Sequence, residues 1–144
     1  MAITTNAICN SFKKELLEAT HNFSNPGGNS FKLAMYTNSA TLGKSTTSFT
    51  TGNEVSSPSG YSSGGKALVN VGTSLATNTA ITDFADLSFT GVTLTARGAL
   101  IYNDTNGDKA VAVLDFGGDK TASAGTFTIQ FPAFTTSAAI LRIA

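Results

Sequence analysis

The stretch Ile101–Lys120, IYNDTNGDKAVAVLDFGGDK, decides how the chain is read, because it holds four of the nine acidic residues in 144. It admits two readings, a catalytic or metal-binding segment, or two strands joined by a turn. Asp115-Phe116-Gly117 matches a triplet of protein kinases, but the Gly-rich loop, the strand Lys and the catalytic loop that give that triplet its chemistry are missing. Asp104, Asn106 and Asp108 offer three oxygen donors, the beginning of a Ca²⁺ loop without its distant bidentate Glu. Turn chemistry accounts for them better. Asn106-Gly107 is a strong hairpin signal, because both central residues of a type I′ turn need φ > 0. The spacing predicts strands at Ala99–Asn103 and Ala110–Phe116. Asp115 and Asp119 then close a strand and start a turn, with Gly117-Gly118 as its permissive backbone.

Both strands of this hairpin are apolar on two faces. Ile101 alternates with Leu100 and Tyr102, and Val111 and Val113 alternate with Ala110, Ala112, Leu114 and Phe116. A sheet with one wet face alternates apolar with polar residues. The second face must therefore be covered, either by a helix of the same chain or by another protein chain. Burying one large apolar side chain is worth about 1.5–3 kcal/mol, so leaving several exposed is both costly and adhesive.

The rest of the chain fits a β protein. Charged residues make up 12 %, about half the usual share, and Ser, Thr, Asn and Gly take their place. That composition disfavours long charged helices and favours strands and turns. The formal net charge is zero, and Lys13-Lys14 is the longest basic run, so no stripe exists to displace counterions from nucleic acid. No apolar run approaches the roughly 20 residues of a membrane span, and MAITTNAICN has no secretory pattern. Cys9 is the single cysteine, which excludes an internal disulfide and points to a small buried apolar residue. His21, the sole histidine, has no nucleophile at a telling spacing and is expected at the surface or at a helix end. No cofactor is expected, and no nucleophile–base–acid spacing marks an enzyme.

Ile8, Phe12, Leu16, Ala19 and Phe23 follow a 3.6 period and predict one helix over residues 6–23, capped by Thr5 or Asn6 and stopped by Asn25-Pro26-Gly27-Gly28. Phe31, Leu33 and Met35 then alternate as a strand. Thr37–Gly65, rich in Ser, Thr and Gly, reads as a surface loop with a short strand near Phe49 or Val55. Ala67, Val69 and Val71 form one face of a further strand. Leu87 and Phe89 fall out of phase with Val92, Leu94 and Ala96, which places a bulge or corner at Thr90-Gly91. Strands follow at Phe127–Phe131 and Ile140–Ile143, and Arg97 is a candidate to brace the sheet by pairing with an Asp. The expectation is a single domain, residues 1–144, with a β-sandwich over 29–144. It is all-β, an antiparallel sandwich of jelly-roll type with one N-terminal α-helix, with a small open barrel as the alternative.

The segments AICNSFKKELLEATHNF (7–23), YTNSATLG (36–43) and above all ITDFADLSFTGVTLTARGALIYNDTNGDKAVAVLDFGGDKTASAGTFTIQFP (81–132) resemble small virion structural proteins of tailed bacteriophages. The resemblance implies a non-enzymatic virion component made in the host cytoplasm. The preferred role is a capsid decoration (cement) protein, a homodimer or homotrimer on the outer face of the major capsid protein. It brings no catalytic residues. In this reading the Thr37–Gly65 loop and the strand ends touch the capsid, and removing the loop leaves the fold intact. The alternative is a tail- or fibre-associated glycan-binding module, with Tyr36, Tyr61 and Tyr102 stacking on sugar rings.

Overall fold

The computed structural model describes residues 3–56 and 60–144; the first two residues of MAITTNAICN and residues 57–59 of the SSPSGYSSGG stretch lie outside them. It is mostly β, with antiparallel sheets and one short helix. In chain order the elements are β1 (Ala7–Ile8), α1 (Asn10–Leu17), β2 (Phe31–Tyr36), β3 (Lys66–Ala67), β4 (Asn70–Ala76), β5 (Thr79–Phe84), β6 (Leu87–Asn103), β7 (Lys109–Ile129) and β8 (Leu141–Ile143). A five-stranded sheet runs β1-β7-β6-β2-β3 and a three-stranded sheet runs β4-β5-β8.

The β6–β7 hairpin is the spine. It is longer than the sequence pattern suggested, because FGGDKTASAG does not end a strand. Ala96 pairs with Lys120 and Gly98 with Asp115, so Arg97 alone faces the four residues Phe116–Asp119. This is a large bulge within a continuing strand, and Gly117 (φ +79°) supplies the left-handed residue that it needs. Arg97 and Asp115 pair across the bulge, as the brace expected of Arg97. The Thr90-Gly91 slip is also present: the register shifts between Phe89 and Val92, Gly91 has φ +62°, and the extra residue leaves Leu87, Phe89, Val92, Leu94 and Ala96 all buried.

The turn itself differs from the type I′ expectation. Five residues, Asp104–Asp108, connect the strands, and the left-handed pair is Gly107 and Asp108 rather than Asn106 and Gly107. The reason lies in the Asn106 side chain. Its amide donates to the Thr20 carbonyl at 2.6 Å, and its backbone N–H donates to Asn103 Oδ1 at 3.1 Å. Both bonds hold Asn106 inward and move the left-handed positions one residue on.

The helix is shorter than residues 6–23. Ile8 belongs to β1, where it pairs with Ala112 of β7. Thr5 and Asn6 do not cap the helix. Cys9 occupies the N-cap position without a side-chain bond, and Asn6 Oδ1 instead accepts from the Asp115 N–H at 2.6 Å. The C-terminus is a Schellman motif: Thr20 N–H bonds the Glu15 carbonyl and Ala19 N–H bonds the Leu16 carbonyl, with Ala19 at φ +60°. Of the predicted stripe only Phe12 and Leu16 lie on the helix. Phe23 lies beyond it and meets Phe12 edge-on, with ring centroids 5.9 Å apart.

The two faces of the hairpin are sealed within the chain, each by a different cover. On the face of Phe31, Leu33 and Ile101, Phe23 stacks on Phe31 at 4.5 Å and Phe84 of β5 packs beside both. On the face of Tyr36, Leu100 and Tyr102, the Thr37–Ser56 segment lies over the sheet. Phe49 stacks on Tyr102 at 4.7 Å, Tyr36 Oη donates to the Thr50 carbonyl at 2.6 Å, and Ala40 and Val55 are buried. Two single bridges, Tyr36↔Glu54 and Ser48↔Lys109, tack it down. This segment is thus a built layer of the core, which corrects its reading as a surface loop that is dispensable to the fold. Leu100, Ile101, Tyr102, Val111 and Val113 are all buried, and Leu114 is half-buried.

β4 also differs from expectation. Leu68 N–H bonds Phe31 of the larger sheet, whereas the Val69 carbonyl accepts from Ala85 beside the smaller one. The chain changes sheet between them, and Val69 and Val71 point outward.

Candidate functional site

The residues singled out from sequence separate into a polar cluster under the turn and an apolar cleft on the flank. His21 is the centre of the first and is buried, which corrects its expected surface position. Asn103 Nδ2 meets His21 Nδ1 at 3.0 Å and also donates to Asn29 Oδ1 at 3.0 Å. Asn103 Oδ1 accepts from the backbone N–H groups of Thr105 and Asn106, both at 3.1 Å. Those two bonds fix which end of the amide faces the ring. His21 Nδ1 must accept, and the hydrogen sits on Nε2, which donates to Glu15 Oε1 at 3.0 Å. Lys109 Nζ approaches the other Glu15 oxygen at 3.6 Å. Every partner of the ring is thus used in joining the helix to the turn, so the cluster is a structural clasp.

The three oxygen donors of the turn belong to the connection itself. Asp104 pairs with Lys32 at 3.6 Å, Asn106 is held by Thr20, and Asp108 is a left-handed residue of the connection. Among the described residues, no three His, Cys, Asp or Glu side chains cluster as metal ligands. At Asp115, the N–H of Gly117 and then the Arg97 guanidinium hold the carboxyl below the usual range. Cys9 is buried beneath the Gly43 carbonyl, and burial first, then the Glu15 charge, push its thiol up to about 11. A thiol so placed is a poor nucleophile. The three tyrosines are buried with their hydroxyls donating to Thr50, Glu54 and Gly64, so their rings are not available to stack on sugars.

The cleft was not foreseen. The smaller sheet packs on the core through Phe84, and Leu75, Ala80 and Ile143 at its other end are exposed. Paired residues share a face, so Leu75 of β4, Ala80 of β5 and Ile143 of β8 make one cross-strand row. Leu75 is 71 % and Ile143 60 % exposed. Ile8, Leu16 and Leu17 stand against the β5–β8 part of that sheet, with Leu17 90 % exposed, around a cleft of about 1600 Å³. β8 ends its sheet, with β5 as its single neighbour. β5 escaped the sequence reading because its alternation does not sort polar from apolar: Ile81 shares a face with Asp83, and Thr82 with Phe84.

Compared with protein-family models, curated proteins and solved structures, the chain matches none. Among the described residues, no helix is long and apolar enough to cross a membrane.

Proposed function

We propose that this chain is a non-enzymatic structural protein of a phage virion, a decoration (cement) protein that binds the outer surface of the major capsid protein shell and stabilises it. One observation carries the reading: a body whose central hairpin is sealed on both faces leaves Leu17, Leu75 and Ile143 out in solvent. Residues of that kind are adhesive when exposed and worth about 1.5–3 kcal/mol each when covered. Repetition over a shell multiplies a modest contact, because copies held side by side act through avidity. The long hairpin, with its bulge braced by Arg97 and Asp115, gives the stiffness that a clamp requires. In this reading the two antiparallel sheets are a small sandwich of jelly-roll type, and the protein associates as a homodimer or homotrimer on the particle.

The contact surface moves with this reading. The Thr37–Ser56 segment of the loop is committed to the protein's own core, so shell contact is assigned to the cleft flank. The glycan-binding alternative loses the tyrosines on which it was built. Gold labelling of the protein in intact particles, imaged by electron microscopy, tests the proposal. A coat over the shell is the expected result, and a signal confined to the tail would overturn it.

A further inference from the structure

The cleft carries more information than its apolarity. The charged residues that line it are Lys13, Lys44 and Arg142, the last also donating to the Thr136 carbonyl at 3.3 Å, and no Asp or Glu lines it. None of the three cations pairs with a carboxylate among the described residues. Elsewhere Lys14, Lys32, Lys109 and Arg97 have acidic partners, so three of the five Lys and Arg residues without one among the described residues line this cleft. The cleft is also bordered by β8, which among the described residues pairs with β5 alone and so has an open outer edge. Such an edge is a template for a further strand, and the alternating side chains of that strand would enter the apolar walls.

We infer that the cleft receives an extended acidic peptide segment of a partner protein, added as a strand along β8, with its apolar side chains between Ala80 and Ile143 on one side and Leu17 on the other, and its carboxylates toward Lys13, Lys44 and Arg142. This deepens the docking reading above by naming what lies on the surface. A lipid or fatty acid would match the charge and the apolar walls but would leave the β8 edge unpaired. A second copy of the chain would have to bring Lys13, Lys44 and Arg142 toward the same three cations in an isologous contact, which like charge opposes.

The test uses the full chain and two fluorescein-labelled eight-residue peptides, one alternating valine with aspartate and one alternating valine with lysine. Fluorescence anisotropy is expected to show the acidic peptide binding at least tenfold more tightly than the basic one, with affinity falling as salt rises. The Lys44→Glu/Arg142→Glu double variant, both positions being exposed, should reverse the preference. Hydrogen exchange should show the amides of Leu141–Ile143 gaining protection when the acidic peptide binds. Absence of binding, equal binding of both peptides, or a preference unmoved by charge reversal would overturn the inference. So would displacement of the peptide by laurate without any change in amide protection, or sedimentation showing a dimer broken by Ile143→Asp. Particle labelling is a separate readout: peptide binding by a protein found only on the tail would sink the capsid proposal and leave the cleft inference standing.

Discussion

Phe49 lies on the ring of Tyr102 at 4.7 Å and 20°, and this stack closes the second face of the central hairpin. A residue near the end of β6 and a residue in the middle of a Ser/Thr-rich segment thus form one layer boundary. Phe49→Ala removes the upper ring and uncovers Tyr102. The expected cost is about 3 kcal/mol, seen as a lower urea midpoint with unchanged slope. A loss below about 0.5 kcal/mol, the range of an ordinary surface substitution, would show that the segment is not part of the core.

Ala19 sits at φ +60° as the C′ residue of α1, a conformation that costs a residue with a Cβ about 1–2 kcal/mol. Ala19→Gly relieves it, offset in part by the greater entropy of Gly in the unfolded chain. A net gain of about 0.5–1 kcal/mol is expected in thermal or urea unfolding. A loss of stability would mean that the helix continues past Leu17.

Asp83 is buried with Oδ2 unpartnered, and burial raises its carboxyl above the ordinary value against the opposing N–H groups of Phe84 and Ile140. Folding therefore favours the protonated form. That contribution is complete below the unfolded-state value of about 3.9 and is lost as pH rises through the folded-state value. Asp83→Asn keeps the shape without the charge. It should unfold at higher urea than the parent at pH 7, by about 1 kcal/mol, and the advantage should shrink as pH falls toward 4. An advantage independent of pH would contradict the buried charge as its cause.

The two bonds from Thr105 and Asn106 to Asn103 Oδ1 require the hydrogen of His21 to lie on Nε2. Long-range ¹H–¹⁵N spectra should show that tautomer. Asn103→Ala, which strands His21, Asn29 and two backbone N–H groups, should cost about 3 kcal/mol. A ring hydrogen on Nδ1 would contradict the clasp.

The sequence announced the hairpin, because both its strands were apolar on two faces and a Gly-containing turn lay between them. It announced the slip at Thr90-Gly91 and the pairing of Arg97. It did not announce the cover. Phe49, Ala40 and Val55 stand too far apart among Ser and Thr to show any period, and their burial is set by tertiary contact. The helix was overdrawn for the opposite reason. Ile8 and Phe23 keep the 3.6 period and are apolar because they face the same core, but one reaches it from a strand and the other from the connection after the helix. The cleft was hidden because its apolar residues, Leu16, Leu17, Ala80 and Ile143, come together from α1, β5 and β8.

Docking through the cleft is the central claim, and cosedimentation with tailed-phage particles stripped of this protein tests it most directly. The parent chain should pellet with the particles. A Leu17→Asp/Ile143→Asp variant, altered at two exposed residues of the cleft and folded by circular dichroism, should stay in the supernatant. Equal pelleting of parent and variant would contradict the account.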